Sequence, residues 1–66
     1  MRLKEIREGK FVTQRELAAK SGVGLSTIVR LELSRQKPRI STARKLAAAL
    51  GVKPGELVAD ENGAGR

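Results

Sequence analysis

Apolar residues recur along this 66-residue chain at the three- and four-residue spacings of amphipathic helices. They fall into five short blocks separated by glycine, proline or polar breaks. The first block, from about Arg2 to Gly9, turns Leu3 and Ile6 inward. Lys10, Phe11 and Val12 connect it to the second, and the two apolar residues of the three are expected to plug the base of the core. Thr13 and Glu16 make a T-x-x-E capping box, which starts a second helix over roughly Gln14 to Lys20, with Leu17 and Ala18 buried. Gly22 supplies the positive φ that stops it. Val23 sits inside the turn, and Gly24 opens a third helix, roughly Leu25 to Leu33, whose Ile28 and Leu31 repeat at i, i+3. The polar, basic loop SRQKPR follows, and Pro38 prevents the helix from continuing. Ser41 or Thr42 is then the expected cap of a fourth helix, ARKLAAAL, with Gly51 just past its end. Pro54 suits the first position of a short fifth helix, PGELVA.

This pattern predicts an all-α domain, a compact bundle of five short helices over residues 1–59. The tail DENGAGR, residues 60–66, has no apolar periodicity and is expected to be disordered. The predicted core is Leu3, Ile6, Val12, Leu17, Ala18, Val23, Ile28, Leu31, Ile40, Leu46, Ala47, Leu50, Val52 and Leu57. Such a core is modest, so pairing with a second copy would add stability.

Composition narrows the function. Fourteen Lys and Arg against seven Asp and Glu leave a formal charge of +7, which favours polyanions through Coulomb attraction and counterion release. Histidine and cysteine are absent, which removes disulfides, the usual zinc ligand sets and the commonest nucleophile–base pairs. Gly22 and Gly24 alone do not make a phosphate cradle, and five short helices enclose no substrate pocket, so catalysis is not expected and no cofactor is implied. The first ten residues are charged throughout, unlike a secretory signal, and no apolar run approaches the roughly 20 residues of a membrane helix. A cytoplasmic protein is expected. Phe11 is the sole aromatic residue, which weakens readings that need rows of stacking aromatics on single strands or RNA.

A tight helix pair with a glycine turn, in a strongly basic chain, is the outline of a helix-turn-helix DNA reader. The stretches VTQRELAAKSGV, STIVRLE and LAAALGVKPGEL occur in order, and together they make residues from about Leu3 to Val58 resemble the lambda-repressor/Cro-like (XRE-type) helix-turn-helix domain. Three positions depart from that family's pattern. Gly24 stands where Ser or Thr is usual, Phe11 replaces a small residue after the first helix, and Ser34 replaces a usual Gly after the third.

The resemblance implies that the third helix enters the major groove and that Leu25, Ser26 and Arg30 read base edges. Ser26 and Arg30 share a face as i, i+4 neighbours. Arg30 suits G O6 and N7, Leu25 a thymine methyl, and Ser26 either donors or acceptors. Each has an alternative: core packing for Leu25, a phosphate clamp for Arg30, an ordinary polar first-turn residue for Ser26. Gln14, at the N-terminus of the second helix, is implied to contact a phosphate, and Thr27 is a second phosphate candidate. Arg35, Lys37, Arg39, Arg44 and Lys45 are the densest positive cluster, suited to phosphates flanking the half-site, or else a solvated basic loop.

Arg7 and Glu32 occupy positions where the family often has an ion pair joining the first and third helices. By the same analogy Val52, Leu57 and Val58 are the expected homodimer surface, with core as the alternative for Leu57. The expected function is that of a DNA-binding transcriptional regulator, a repressor, reading an inverted repeat in double-stranded DNA as a homodimer. The competing reading is an antitoxin-like or coactivator-like protein-interaction module, for which Leu25, Val29 and Leu33 at i, i+4, i+8 supply an apolar stripe.

Overall fold

The computed structural model describes residues 1–33 and 37–58, and shows five helices in chain order among them. These are α1 (Leu3–Gly9), α2 (Gln14–Ser21), α3 (Leu25–Glu32), α4 (Ile40–Leu50) and α5 (Pro54–Leu57). The predicted disordered tail, together with Ser34 and Arg35, lies outside the described residues.

Local chemistry sets most of the helix ends. At the start of α2 the Glu16 N–H donates to Thr13 Oγ1 at 3.0 Å, and the Thr13 N–H donates to Glu16 Oε1 at 2.8 Å. Both bonds of the capping box are therefore made. At its end Gly22 takes φ 76°, its N–H reaching the Ala18 carbonyl at 2.9 Å. The next N–H, that of Val23, donates to Ser21 Oγ at 3.1 Å. The turn is thus three residues long, and Gly24 enters α3 in an extended conformation with no side-chain cap.

The ends of α1 and α4 use one hydrogen-bond motif on different residues. In α4 the Gly51 N–H donates to the Ala48 carbonyl and the Val52 N–H to the Ala47 carbonyl, with Gly51 at φ 71°. In α1 the Phe11 N–H donates to the Glu8 carbonyl and the Val12 N–H to the Arg7 carbonyl, with Phe11 at φ 57°. Both are Schellman closures. Glycine takes the left-handed region freely, whereas an L side chain there costs about 1–2 kcal/mol. The sequence-based placement of Phe11 in the core is corrected accordingly: its side chain is 93% exposed, and only Val12 packs against the core.

The core joins Leu3, Leu17, Val23, Ile28, Leu31, Leu46, Ala47, Leu50 and Leu57, with Ile6, Val12, Ala18 and Val52 packed around it. Helix α2 lies against α3 and α4, α5 against α4, and α1 against α3. The Arg2 N–H donates to the Leu57 carbonyl at 2.8 Å and ties the start of the chain to α5. Two expectations about α4 are corrected. It begins at Ile40, with Arg39 as an extended N-cap, so Ser41 and Thr42 lie in its first turn and do not cap it. Ile40 is 73% exposed rather than core, because the extra turn it opens extends beyond the packed body. Ala43, one turn on, is buried instead.

Candidate nucleic-acid interface

Helix α3 presents two faces set by its 3.6-residue turn. Ile28 and Leu31 are buried, so the opposite face carries Ser26, Val29, Arg30 and Leu33, with Leu25 at its edge. Ser26 and Arg30 are exposed, Leu25 is 38% and Leu33 59% exposed, and Val29 is half-buried. Val29 and Leu33 thus join the outward face, although the sequence reading assigned them only to a protein-binding stripe. Their i+4 and i+8 spacing from Leu25, on which the sequence already groups them as an apolar stripe, is the signal that carries them.

The far end of α3 is anchored by charge. Arg7 Nε donates to Glu32 Oε2 at 2.7 Å and Nη2 to Oε1 at 3.0 Å, a bidentate pair. Arg7 Nη1 donates to the Val12 carbonyl at 2.8 Å. Both side chains are nearly buried, at 10% and 4% exposure. The hydrogen bond to Glu32 and the attraction of that carboxylate raise the Arg7 pKa further above its usual value, against the opposing effect of burial, so Arg7 is charged throughout. Gln14 completes the network: its Nε2 donates to Glu32 Oε1 at 2.9 Å. The Gln14 side chain thus links the start of α2 to the end of α3.

That leaves the start of α2 with backbone donors to spare. The box occupies the Thr13 and Glu16 N–H groups, while those of Gln14 and Arg15 have no protein partner among the described residues. Free N–H groups and the positive end of the helix dipole make such a terminus hospitable to an anion.

The basic cluster divides. Lys37 and Arg39 share a polar depression with Thr27, Pro38 and Thr42, between the start of α4 and the side of α3. Arg44 lies instead on an apolar groove lined by Pro38, Ile40, Ala43, Pro54, Gly55 and Val58. Lys45 is exposed one position further along α4, and Arg35 lies outside the described residues. Thr42, which the sequence offered only as a cap, enters the depression because α4 starts earlier than expected. Among the predicted dimer residues Leu57 is corrected: it is fully buried in the chain's own core, while Val52 and Val58 are half-buried.

Among the described residues no cluster of His, Cys, Asp or Glu could hold a metal ion, and no helix is long and apolar enough to cross a membrane.

Comparison with known proteins agrees with this geometry. A helix-turn-helix family model matches residues 3–57. The immunity repressor protein of Bacillus phage phi105 is 35% identical over 60 residues, covering 91% of this chain and 42% of that protein. The cryptic phage CTXphi transcriptional repressor RstR of Vibrio cholerae is 36% identical over 59 residues, 89% of this chain and 53% of the relative. An uncharacterized HTH-type transcriptional regulator of Methanothermobacter thermautotrophicus is 39% identical over 64 residues, covering 94% of this chain and 93% of that protein. The chain therefore spans about half the length of the two phage repressors and nearly all of the third relative. No solved structure matches it at a significant level. The chain belongs to the helix-turn-helix family of XRE/Cro/C1 type, a DNA-binding class of transcriptional regulators and not an enzymatic one.

Proposed function

We propose that this protein is a sequence-specific transcriptional repressor that binds an inverted repeat in double-stranded DNA as a homodimer. The observation that carries this reading is the outward face of α3, which holds side chains able to meet base edges beside a depression containing Lys37 and Arg39. In the docked state Leu25, Ser26 and Arg30 face base edges in the major groove. The free N–H groups of Gln14 and Arg15 hold one phosphate, helped by the second amide hydrogen of Gln14 Nε2. Thr27, Lys37 and Arg39 hold another across the depression. Arg35, Arg44 and Lys45 add to the attraction for flanking phosphates, Arg44 from the side of the apolar groove. A repressor is favoured over an activator because two relatives bear that description.

The groove lined by Ile40, Pro54 and Val58 is the surface we assign to the second copy; Val52, half-buried on the α4–α5 link, packs against the core and is not among the groove's lining residues. The exposed Leu25 and Leu33 are what favour the competing protein-interaction reading.

Selection of bound duplexes from a random pool at two salt concentrations, with sedimentation of the complex, tests the proposal. Enrichment of a palindrome whose half-sites lie about 34–36 Å apart, bound by two copies, is the expected result. Lys37→Ala should weaken all sequences alike and lower the salt slope by about one, whereas Leu25→Ala should lose discrimination at one base pair. Absence of binding even at low salt would sink the proposal in favour of a protein partner.

A further inference from the structure

The outward face of a surface helix is ordinarily polar, but that of α3 is mostly apolar. Leu25 is 38% exposed, Leu33 59%, and Val29 lies half-buried between them, while Ser26 and Arg30 supply the polar groups. Leu25, Ser26, Arg30 and Leu33 on this face are exposed.

We infer that Leu25 and Val29 read the methyl groups of two thymines in each half-site, which makes Val29 a specificity residue alongside Leu25 and Arg30. The inference rests on the DNA-reading function proposed above. Its occupant is fixed by charge: the helix that carries the strip also carries Arg30, and its Thr27 lines a depression with Lys37 and Arg39, on a chain of net charge +7, which suits a polyanion. Among the groups that base pairs display in the major groove, the C5-methyl of thymine is the apolar one. Leu25 and Val29 have no hydrogen-bonding atoms in their side chains, so they cannot distinguish the donors and acceptors of the other edges.

Geometry adds a register. Residues four apart on a helix are separated by about 6 Å along its axis, close to two base steps of about 3.4 Å. The two methyl contacts therefore fall about two base pairs apart. The β-branched Val29 holds essentially one rotamer in a helix, so little freedom is lost when its methyls meet the base. Leu33 lies a further turn toward the C-terminal end of α3, beyond the part that meets base edges, and is given no base.

The test uses the full chain and the half-site recovered by duplex selection, with deoxyuridine replacing each thymidine in turn. This change removes one methyl and nothing else. We expect about a fourfold loss of affinity at two positions roughly two base pairs apart, and wild-type affinity at the remaining thymines. Leu25→Ala should become insensitive to deoxyuridine at one of the two positions and Val29→Ala at the other, while Arg30→Ala keeps both responses. Neither residue is fully buried, and thermal melting establishes that each variant is folded. Specific binding that ignores deoxyuridine everywhere, or methyl sensitivity that survives both alanine variants, would overturn the inference and leave groove reading intact. Failure to enrich any duplex would overturn the proposed function and this inference with it.

Discussion

Apolar packing holds both the first three helices and the last two, but only the first three add a set of side-chain hydrogen bonds to it. Among the described residues, the side-chain hydrogen bonds lie between residues 2 and 32, from the capping box of α2 to the Arg7–Glu32–Gln14 network. Helices α4 and α5 have none; apolar packing through Leu46, Ala47, Leu50 and Leu57 joins them to the body. Charged bonds have direction, so they fix the angle at which α3 leaves its turn and thus the aim of its outward face. Packing has no such direction. It suits α4, which closes the core and carries Arg39 at its N-cap and Arg44 and Lys45 in its second turn.

Removing one partner from the network should separate the halves most sharply. Glu32→Ala leaves the Arg7 guanidinium nearly buried without its carboxylate, which should cost about 3–5 kcal/mol by urea denaturation. The double variant Arg7→Met with Glu32→Leu should recover most of that loss, because the penalty arises from the stranded charge. Should the double variant be no better than the single one, the network would be the main source of stability and not chiefly of orientation.

In the apolar half, Leu46→Ala deletes a fully buried side chain and should cost about 2–5 kcal/mol. Its loss should be nearly independent of salt, and a strongly salt-dependent loss would contradict the division drawn here.

The two Schellman closures allow a smaller test within the same frame. Phe11→Gly relieves a left-handed side chain that is exposed and packs against little, at the expense of a more flexible unfolded chain. The net effect should be a gain of about 0.5–1 kcal/mol, seen as a raised Tm. Gly51→Phe should do the reverse at the end of α4.

The smallest effect concerns acid. The backbone N–H of Thr13, and then its side chain, hold the Glu16 carboxyl below the ordinary glutamate range. A lowered folded-state pKa contributes stability above the unfolded value, and this is lost as pH falls through the folded one. Melting of Glu16→Gln against wild type should therefore show the two diverging at neutral pH and converging as the solution is acidified. Parallel curves would remove Glu16 from the acid response.

Legibility in the sequence follows the range of the interaction. The T-x-x-E box and the glycines after α2 and α4 act within a few residues, so their letters were sufficient to mark those helix ends. Ile28, Leu31, Leu46 and Leu50 announce themselves by periodicity, and the family resemblance supplied the Arg7–Glu32 pair. Phe11 was misplaced because hydrophobicity says inside while the backbone closure that turns it outward is a property of three consecutive hydrogen-bonding residues. Ile40 was misplaced for a related reason: its helical spacing to Ala43 is right, but Ala43 is buried while Ile40 itself stays 73% exposed.

At the candidate site the sequence determined which residues lie on α3 and that the chain is cationic. The tertiary structure decided which way they face. Burial of Ile28 and Leu31 against the other helices puts Val29 on the outward face with Ser26 and Arg30. Folding brings Lys37 and Arg39 to Thr27 while leaving Arg44 on another groove. It also ties the Gln14 amide to Glu32, eighteen positions away. Helix and turn formation are local and can be read from neighbouring letters; the orientation of a helix depends on what covers its other side, and that is settled only when distant segments meet.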